Sequence, residues 1–238
     1  MHAIFEGLNR AQEEAVREIS RPILILAGAG SGKTKTITSR LAYLIAEVGI
    51  DPSATLTLTF TNKAATEMRE RALSLLNQAK APLAYPPLLC TFHKFGLLFL
   101  KFHIEKLGRK ANFVVIDTDD KKRILKSFGG ELPVASVASE ISRYKNSLIS
   151  PEQAWNQAEQ KNYRHMAKMF EQYENYLVQN NLVDFDDLLA LTYRILDSDL
   201  ALCEATSNRY QYIMIDEYQD TNDLQYRLLV KLCHSHEN

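Results

Sequence analysis

Apolar and polar positions follow two different rhythms along this chain. In the first third, short β-branched or leucine-rich runs at residues 23–26, 55–60 and 88–92 are each followed by a longer stretch of helical period, at 33–47, 63–77 and 93–106. Such alternation predicts parallel β-α-β units: an α/β fold whose parallel sheet carries helices on both faces. Then the pattern changes. After a brief strand at 113–116, residues 117–184 read as helical, with Pro133 and Pro151 as breaks and starts. Asp117, Thr118 or Asp119 supplies one helix cap, and Ser150 ahead of Pro151, Glu152 and Gln153 supplies another. Strand character returns at 210–215, between helices at 185–196 and 222–233, so the chain is expected to rejoin the sheet it left. Tyr163, Phe170, Tyr173 and Tyr176 fall near helical spacing and are assigned to the core. The resulting division is an α/β domain at 1–110 and 185–238 with an all-helical insertion at 111–184.

Composition narrows the class. At 238 residues and 46% hydrophobic, the chain can bury one substantial core or two smaller ones. The longest apolar stretches, such as 23–27, are too short to cross a bilayer, and residues 1–10 lack the basic-then-apolar order of a secretion signal, so a cytoplasmic enzyme is expected. Cys90, Cys203 and Cys233 are odd in number and widely spaced, which gives neither a disulfide framework nor a four-ligand zinc site. Cys233, His234 and His236 are assigned to a helix end and tail rather than to a metal site. Net charge is −1, yet residues 60–110 hold nine bases against three glutamates, while from Phe185 onward ten carboxylates face four bases. A basic middle and an acidic end suit a protein that meets phosphates on one surface and magnesium on another.

Two motifs carry chemistry. Ala27, Gly28, Ala29, Gly30, Ser31, Gly32, Lys33 and Thr34 stand directly after an apolar run and directly before a helix. The glycines let backbone N–H groups converge on phosphate oxygens at a helix N-terminus, Lys33 adds positive charge, and the Thr34 hydroxyl is a magnesium ligand. Ala27 stands where the simplest form of the motif has glycine, but the tight turns fall on Gly28, Gly30 and Gly32. The second motif is the apolar strand 212–215 running into Asp216, Glu217, Tyr218, Gln219 and Asp220. There Asp216 is assigned to the Mg²⁺ water shell and Glu217 to orienting and deprotonating the attacking water. Together they specify an ATPase or GTPase.

The stretch between these motifs resembles the superfamily one DNA helicases, the UvrD/Rep/PcrA-like branch in particular. Leu58, Thr59, Phe60, Thr61, Asn62, Lys63, Ala64 and Ala65, then Glu67, Met68, Arg69 and Arg71, look like that family's single-strand contact motif. Thr91, Phe92 and His93 match a further DNA-contact motif, and Leu8, Asn9 and Gln12 resemble the adenine-reading motif. Asp184, Phe185, Asp186, Asp187 and Leu188 match the acidic segment that closes the inserted subdomain, and 215–222 looks like the family's Walker B motif. The resemblance implies a RecA-like P-loop NTPase core that binds ATP and Mg²⁺, with single-stranded DNA and single/double-strand junctions as partners and 3′ to 5′ travel. Phe60 and Phe92 would then stack bases while Thr61, Asn62, Lys63, Thr91 and His93 hold the backbone. Gln12 would select ATP over GTP, and Gln219 would link the γ-phosphate to the DNA side. Lys145 and Asn146 also fit the family pattern, with a DNA role left open.

The family's later motifs, including its transition-state arginines, fall outside these 238 residues. An arginine finger supplies ~10³–10⁵ in rate, so a monomeric fragment that binds nucleotide but hydrolyses and unwinds poorly is expected. The motor subunit of a helicase-nuclease complex shares most of these motifs. A non-catalytic ATP-switched DNA-binding module is a third reading, against which Glu217 argues, since a pure switch needs no base.

Overall fold

The computed structural model describes residues 2–236 apart from Ala29, Pro82, Glu131 and Gln160. Its strands are β1 (Thr55–Thr59), β2 (Leu88–Thr91), β3 (Val114–Val115), β4 (Leu182–Val183) and β5 (Tyr212–Ile215). The chain forms two compact units. One takes the residues up to Phe92, Leu200–Thr221 and those from Leu229 on; the other takes His93–Asp199 and Asn222–Leu228.

In the first unit β1 lies between β2 and β5, parallel to both. A strand flanked on both edges and covered on its faces has no solvent side, and every residue of β1 is buried although threonine and leucine alternate along it. Helix Lys33–Ala46 places Ile37, Leu41, Leu44 and Ile45 at helical spacing, and helix Asn62–Gln78 does the same with Ala65, Met68, Ala72 and Leu76. Both faces close over Leu89 and Met214 of the sheet. Each fully buried Leu, Ile or Met contributes about 1.5–3 kcal/mol, so this layer holds the sheet in place. Register then does the functional work. Thr59 pairs with Thr91 and Leu58 with Ile215, so Phe60, Phe92 and Asp216 all leave the sheet at its C-terminal edge.

The expected strand at 23–26 is not formed. β5 is an edge of the sheet, and Ile23–Leu26 lie across a cavity from Ile213, Met214 and Ile215, with Leu24 and Leu26 exposed. A β-branched run shows strand propensity but not whether a partner's edge is within hydrogen-bonding reach.

The second unit is mostly helical, with β3 and β4 paired in parallel. Its core gathers Leu125, Val137, Ile141, Tyr144, Phe170, Tyr173 and Leu177. Of the four aromatics assigned to this core, Phe170 and Tyr173 are fully buried and Tyr176 packs edge-on against Phe128, but Tyr163 is exposed. Asp117, Ser150 and Asp184 each close a capping box at the start of a helix. The helix expected at 93–106 ends earlier: Phe92–His103 is α-helical, and Ile104–Leu107 tightens into a 3₁₀ turn. Gly96 on that helix meets Leu188 so closely that an added Cβ would sit 2.2 Å from the Leu188 carbonyl oxygen. Backbone cannot yield as a side-chain tip does, so Gly96→Ala is expected to destabilise this unit by at least ~1–3 kcal/mol, read as a lower urea midpoint by circular dichroism.

Candidate functional site

The phosphate loop ends in an open helix start. Gly32 is the N-cap of helix Lys33–Ala46 with φ 90°, and Gly30 has φ 73°, left-handed conformations that an L side chain rarely adopts. No side chain caps this helix and no acidic residue stands in its first turn, so its first N–H groups and positive dipole end remain open to an anion. The loop folds on itself: the Ser31 hydroxyl donates to the Gly28 carbonyl at 2.6 Å, and the Lys33 ammonium donates to the carbonyls of Ala27 at 3.1 Å and Gly28 at 3.3 Å. Ala29 lies outside the described residues.

Gln12 leans over this loop. Its Nε2 donates to the Ser31 carbonyl at 2.8 Å, while its Oε1 accepts from the Asn9 N–H in the capping box of helix Arg10–Arg17. Both ends of the carboxamide are therefore engaged within the protein, and pairing with a base edge requires one of them to let go.

Asp216 closes the other side. It is buried, and its Oδ2 lies 3.4 Å from the Thr34 hydroxyl, a long hydrogen bond that brings the two motifs together across the fold. Its Oδ1 is buried without a hydrogen-bond partner among the described residues. Burial, and then the neighbouring Glu217 charge, push its carboxyl above the usual range. A hydroxyl and an orphaned buried carboxylate oxygen form a hard-oxygen donor set of the kind Mg²⁺ takes, so the residues fit that ion. Glu217 has φ 53°, a left-handed conformation costing about 1–2 kcal/mol in a non-glycine residue, and its Oε2 accepts from Gln219 Nε2 at 2.5 Å. Lys33, Asp216, Glu217 and Gln219 share a cavity of about 570 Å³ with the apolar walls Ile23–Leu26 and Ile213–Ile215, within the usual range for small-molecule sites.

Of the residues assigned to nucleic acid, His93 belongs to the second unit and the others to the first. Phe60 is half-buried, and Phe92 is buried beneath it, with ring centroids 5.5 Å apart. Phe60 therefore has the accessible ring, and Phe92 packs behind it. The Thr61 hydroxyl caps helix Asn62–Gln78 by accepting from Ala64 N–H at 3.1 Å. Asn62 and Lys63 are exposed, and Thr91 is buried at the end of β2. Arg69 donates to the Leu89 carbonyl at 2.6 Å, tying its helix to β2. In the second unit, the His93 ring lies tilted at 41° against Phe185 with centroids 4.9 Å apart, and burial lowers its pKa against the opposing pull of Asp186.

Lys145 is fully buried among Asp184, Asp187 and Glu174, so it cannot itself touch DNA. Sequence reading placed Phe185 in the acidic segment that closes the insertion but gave its ring no role; the structure shows that ring exposed inside an acidic capping box, and a large apolar residue at the first position of a helix, flanked by carboxylates, is the available signal. Among the described residues no cluster of three or more His, Cys, Asp or Glu side chains could hold a metal, and no helix is long and apolar enough to cross a membrane. His236 instead sets its ring nitrogen 3.1 Å from the Ser207 carbonyl.

Comparison with known proteins identifies the family. The model of the UvrD/REP helicase N-terminal domain matches residues 8–238. The chain is 38% identical over 237 residues to the probable DNA helicase II homolog of Mycoplasma capricolum, covering 95% of this chain and 32% of that protein. To the ATP-dependent DNA helicase PcrA of Bacillus subtilis it is 37% identical over 242 residues, covering 99% and 32%, and to that of Staphylococcus aureus 36% over 245 residues, covering 100% and 33%. It thus spans about a third of the length of these curated relatives. Because the family match begins at Leu8, ahead of Gln12, and continues past the acid pair after β5, it takes in both motifs and the mixed parallel α/β fold that joins them: the chain belongs to the UvrD/REP helicase N-terminal domain family.

Proposed function

We propose that these residues form the ATP- and Mg²⁺-binding part of a DNA helicase motor and contribute to its single-strand site. The observation that carries this reading is the uncapped helix start at Lys33 and Thr34 beside the buried, half-satisfied Asp216. The names of the relatives, ATP-dependent DNA helicases among them, support it.

In this reading the first-turn N–H groups and Lys33 bind the β- and γ-phosphates of ATP. Thr34 and Asp216 hold Mg²⁺, which when bound neutralises charge on the phosphate oxygens. Glu217 orients the attacking water and takes its proton, and Gln219, bonded to Glu217, links that carboxylate to the strand site. Gln12 reads the adenine edge after releasing Ser31 or Asn9. The motor domain comprises 1–110 and 185–238 with the insertion at 111–184. The whole protein moves 3′ to 5′ on single strands, opens duplex at junctions and works in the cytoplasm in repair or replication. The 238 residues by themselves act as a monomer with weak turnover.

Phe60 offers one ring face to a base while Thr61, Asn62, Lys63 and His93 hold the backbone, and Thr91, buried at the end of β2, supports the strand end from within the first unit. Stacking is worth about 1–3 kcal/mol per base, so Phe60→Ala is expected to weaken binding of a labelled oligothymidylate to the 238-residue chain by ~5–150-fold in fluorescence anisotropy. Lys63→Ala is expected to flatten the salt dependence by about 0.7 in log–log slope. Unchanged affinity in both variants would remove the strand site from this surface.

A further inference from the structure

Lys145 and Asn146 belong to no nucleotide chemistry, yet they sit at the densest polar network of the second unit. The Lys145 ammonium lies 2.7 Å from Asp187 Oδ1, 3.0 Å from Asp184 Oδ2 and 2.7 Å from Glu174 Oε1. Tyr173 donates its hydroxyl to Asp184 Oδ2 at 3.0 Å. Asp184 and Asp187 are the two ends of the capping box that opens helix Phe185–Ser198, the Asp187 N–H donating to Asp184 Oδ1 at 2.9 Å. Asp186 is held by Lys121 at 3.0 Å, Ser142 at 2.6 Å and Asn146 at 2.9 Å, and Lys121 also reaches Asp184 at 3.5 Å.

Three helices thus grip three carboxylates within one four-residue turn, and the remaining residue, Phe185, is 56% exposed with its ring against His93. A buried lysine among carboxylates does little for net stability compared with an apolar core, whereas it does specify geometry. Leaving the one apolar ring of the turn in solvent stabilises nothing by itself. What the grip does fix is the place of Phe185, and through it the ring of His93.

We propose that Lys145 and Asn146 are positioning residues for strand binding: through Asp184, Asp187 and Asp186 they fix the turn whose Phe185 ring braces His93. This rests on the reading above, in which His93 meets the strand. Neither residue touches DNA; Lys145 is out of reach, and Asn146 is occupied with Asp186 and the Ser142 carbonyl.

The test uses the 238-residue chain as wild type, Lys145→Met, Asn146→Ala and Phe60→Ala. Two readouts are taken: the ring NMR signals of His93, assigned with His93→Gln, and anisotropy of a labelled oligothymidylate. Asn146→Ala removes two hydrogen bonds, to Asp186 and to the Ser142 carbonyl, and no buried charge, so it is expected to fold, to shift the His93 signals as the Phe185 ring current changes, and to weaken strand binding about three-fold. Lys145→Met is expected to move both readouts further; if it does not fold, Asn146→Ala decides alone. A merely structural role lowers the melting midpoint and leaves the His93 signals of the folded population in place, which would overturn the proposal, as would a displaced His93 with undiminished affinity. If Phe60→Ala weakens binding and Asn146→Ala leaves it intact, positioning is wrong and the motor reading stands. If wild type takes no strand, both fall.

Discussion

Replacing Glu217 by Gln in the complete protein is expected to lower ATP turnover by ~10²–10⁴-fold, the usual contribution of a positioned general base. Glutamine keeps the shape and the oxygen that accepts from Gln219, so the left-handed turn at 217 survives, and with it the aim of the side chain. What is lost is the ability to accept the water's proton. Lys33, Thr34 and Asp216 are untouched, so nucleotide affinity is expected to stay within about three-fold. A phosphate-release assay with and without single-stranded DNA reads the first effect, and binding of a fluorescent ATP analogue reads the second. Turnover that survives the substitution removes Glu217 from the chemistry and favours a nucleotide-switched binder.

Lys145→Ala is expected to be the most damaging single change in the helical unit, costing about 3–5 kcal/mol. Wild type balances two lysines, Lys145 and Lys121, against Asp184, Asp186, Asp187 and Glu174. Removing one ammonium strands carboxylates that water cannot reach. Burial and then the Asp184 charge push Asp187 up to about 7, while Lys145 and Lys121 outweigh burial and hold Asp184 below its usual value. The signs are opposite. A raised carboxyl stabilises the fold fully below its unfolded pKa of about 4, and that stability is lost as pH rises through about 7. Asp184 contributes stability above about 4 that is lost as pH falls through its lowered pKa. Urea midpoints of wild type should therefore fall from pH 5 towards 8, and Asp187→Asn should flatten that fall, with pH limits set by the shift to about 7. An equal slope in both proteins would contradict the assignment.

Particular residues show why some of this was legible in the sequence. The phosphate loop depends on glycines at fixed spacing before a helix, a local requirement that sequence states directly, and Gly30 and Gly32 adopt the left-handed conformations it needs. The acid pair was legible because an apolar run ends in two carboxylates, and β1 and β5 pair in the register that brings Asp216 beside Thr34. Segments whose fate depends on distant partners were not. Residues 23–26 have the composition of a strand, but nothing local says whether an edge is within reach. Helix Leu200–Arg209 escaped notice because only Cys203, Thr206 and Ser207 mark its buried side, too few and too polar to show a stripe. Phe60 and Phe92 look alike as strand-end aromatics, yet burial separates them. Lys145 carries a charge that argues for solvent, and only the convergence of three acidic side chains explains its place in the core.

The most direct test of the central claim is the binding of a fluorescent ATP analogue to the 238-residue chain, with and without Mg²⁺, beside Lys33→Ala and Asp216→Asn. Saturable binding is predicted, weakened about 10–100-fold by Lys33→Ala and deprived of its Mg²⁺ dependence by Asp216→Asn. Binding that is absent in wild type, or equally tight in all three proteins, would contradict a nucleotide site built on this loop and this strand end.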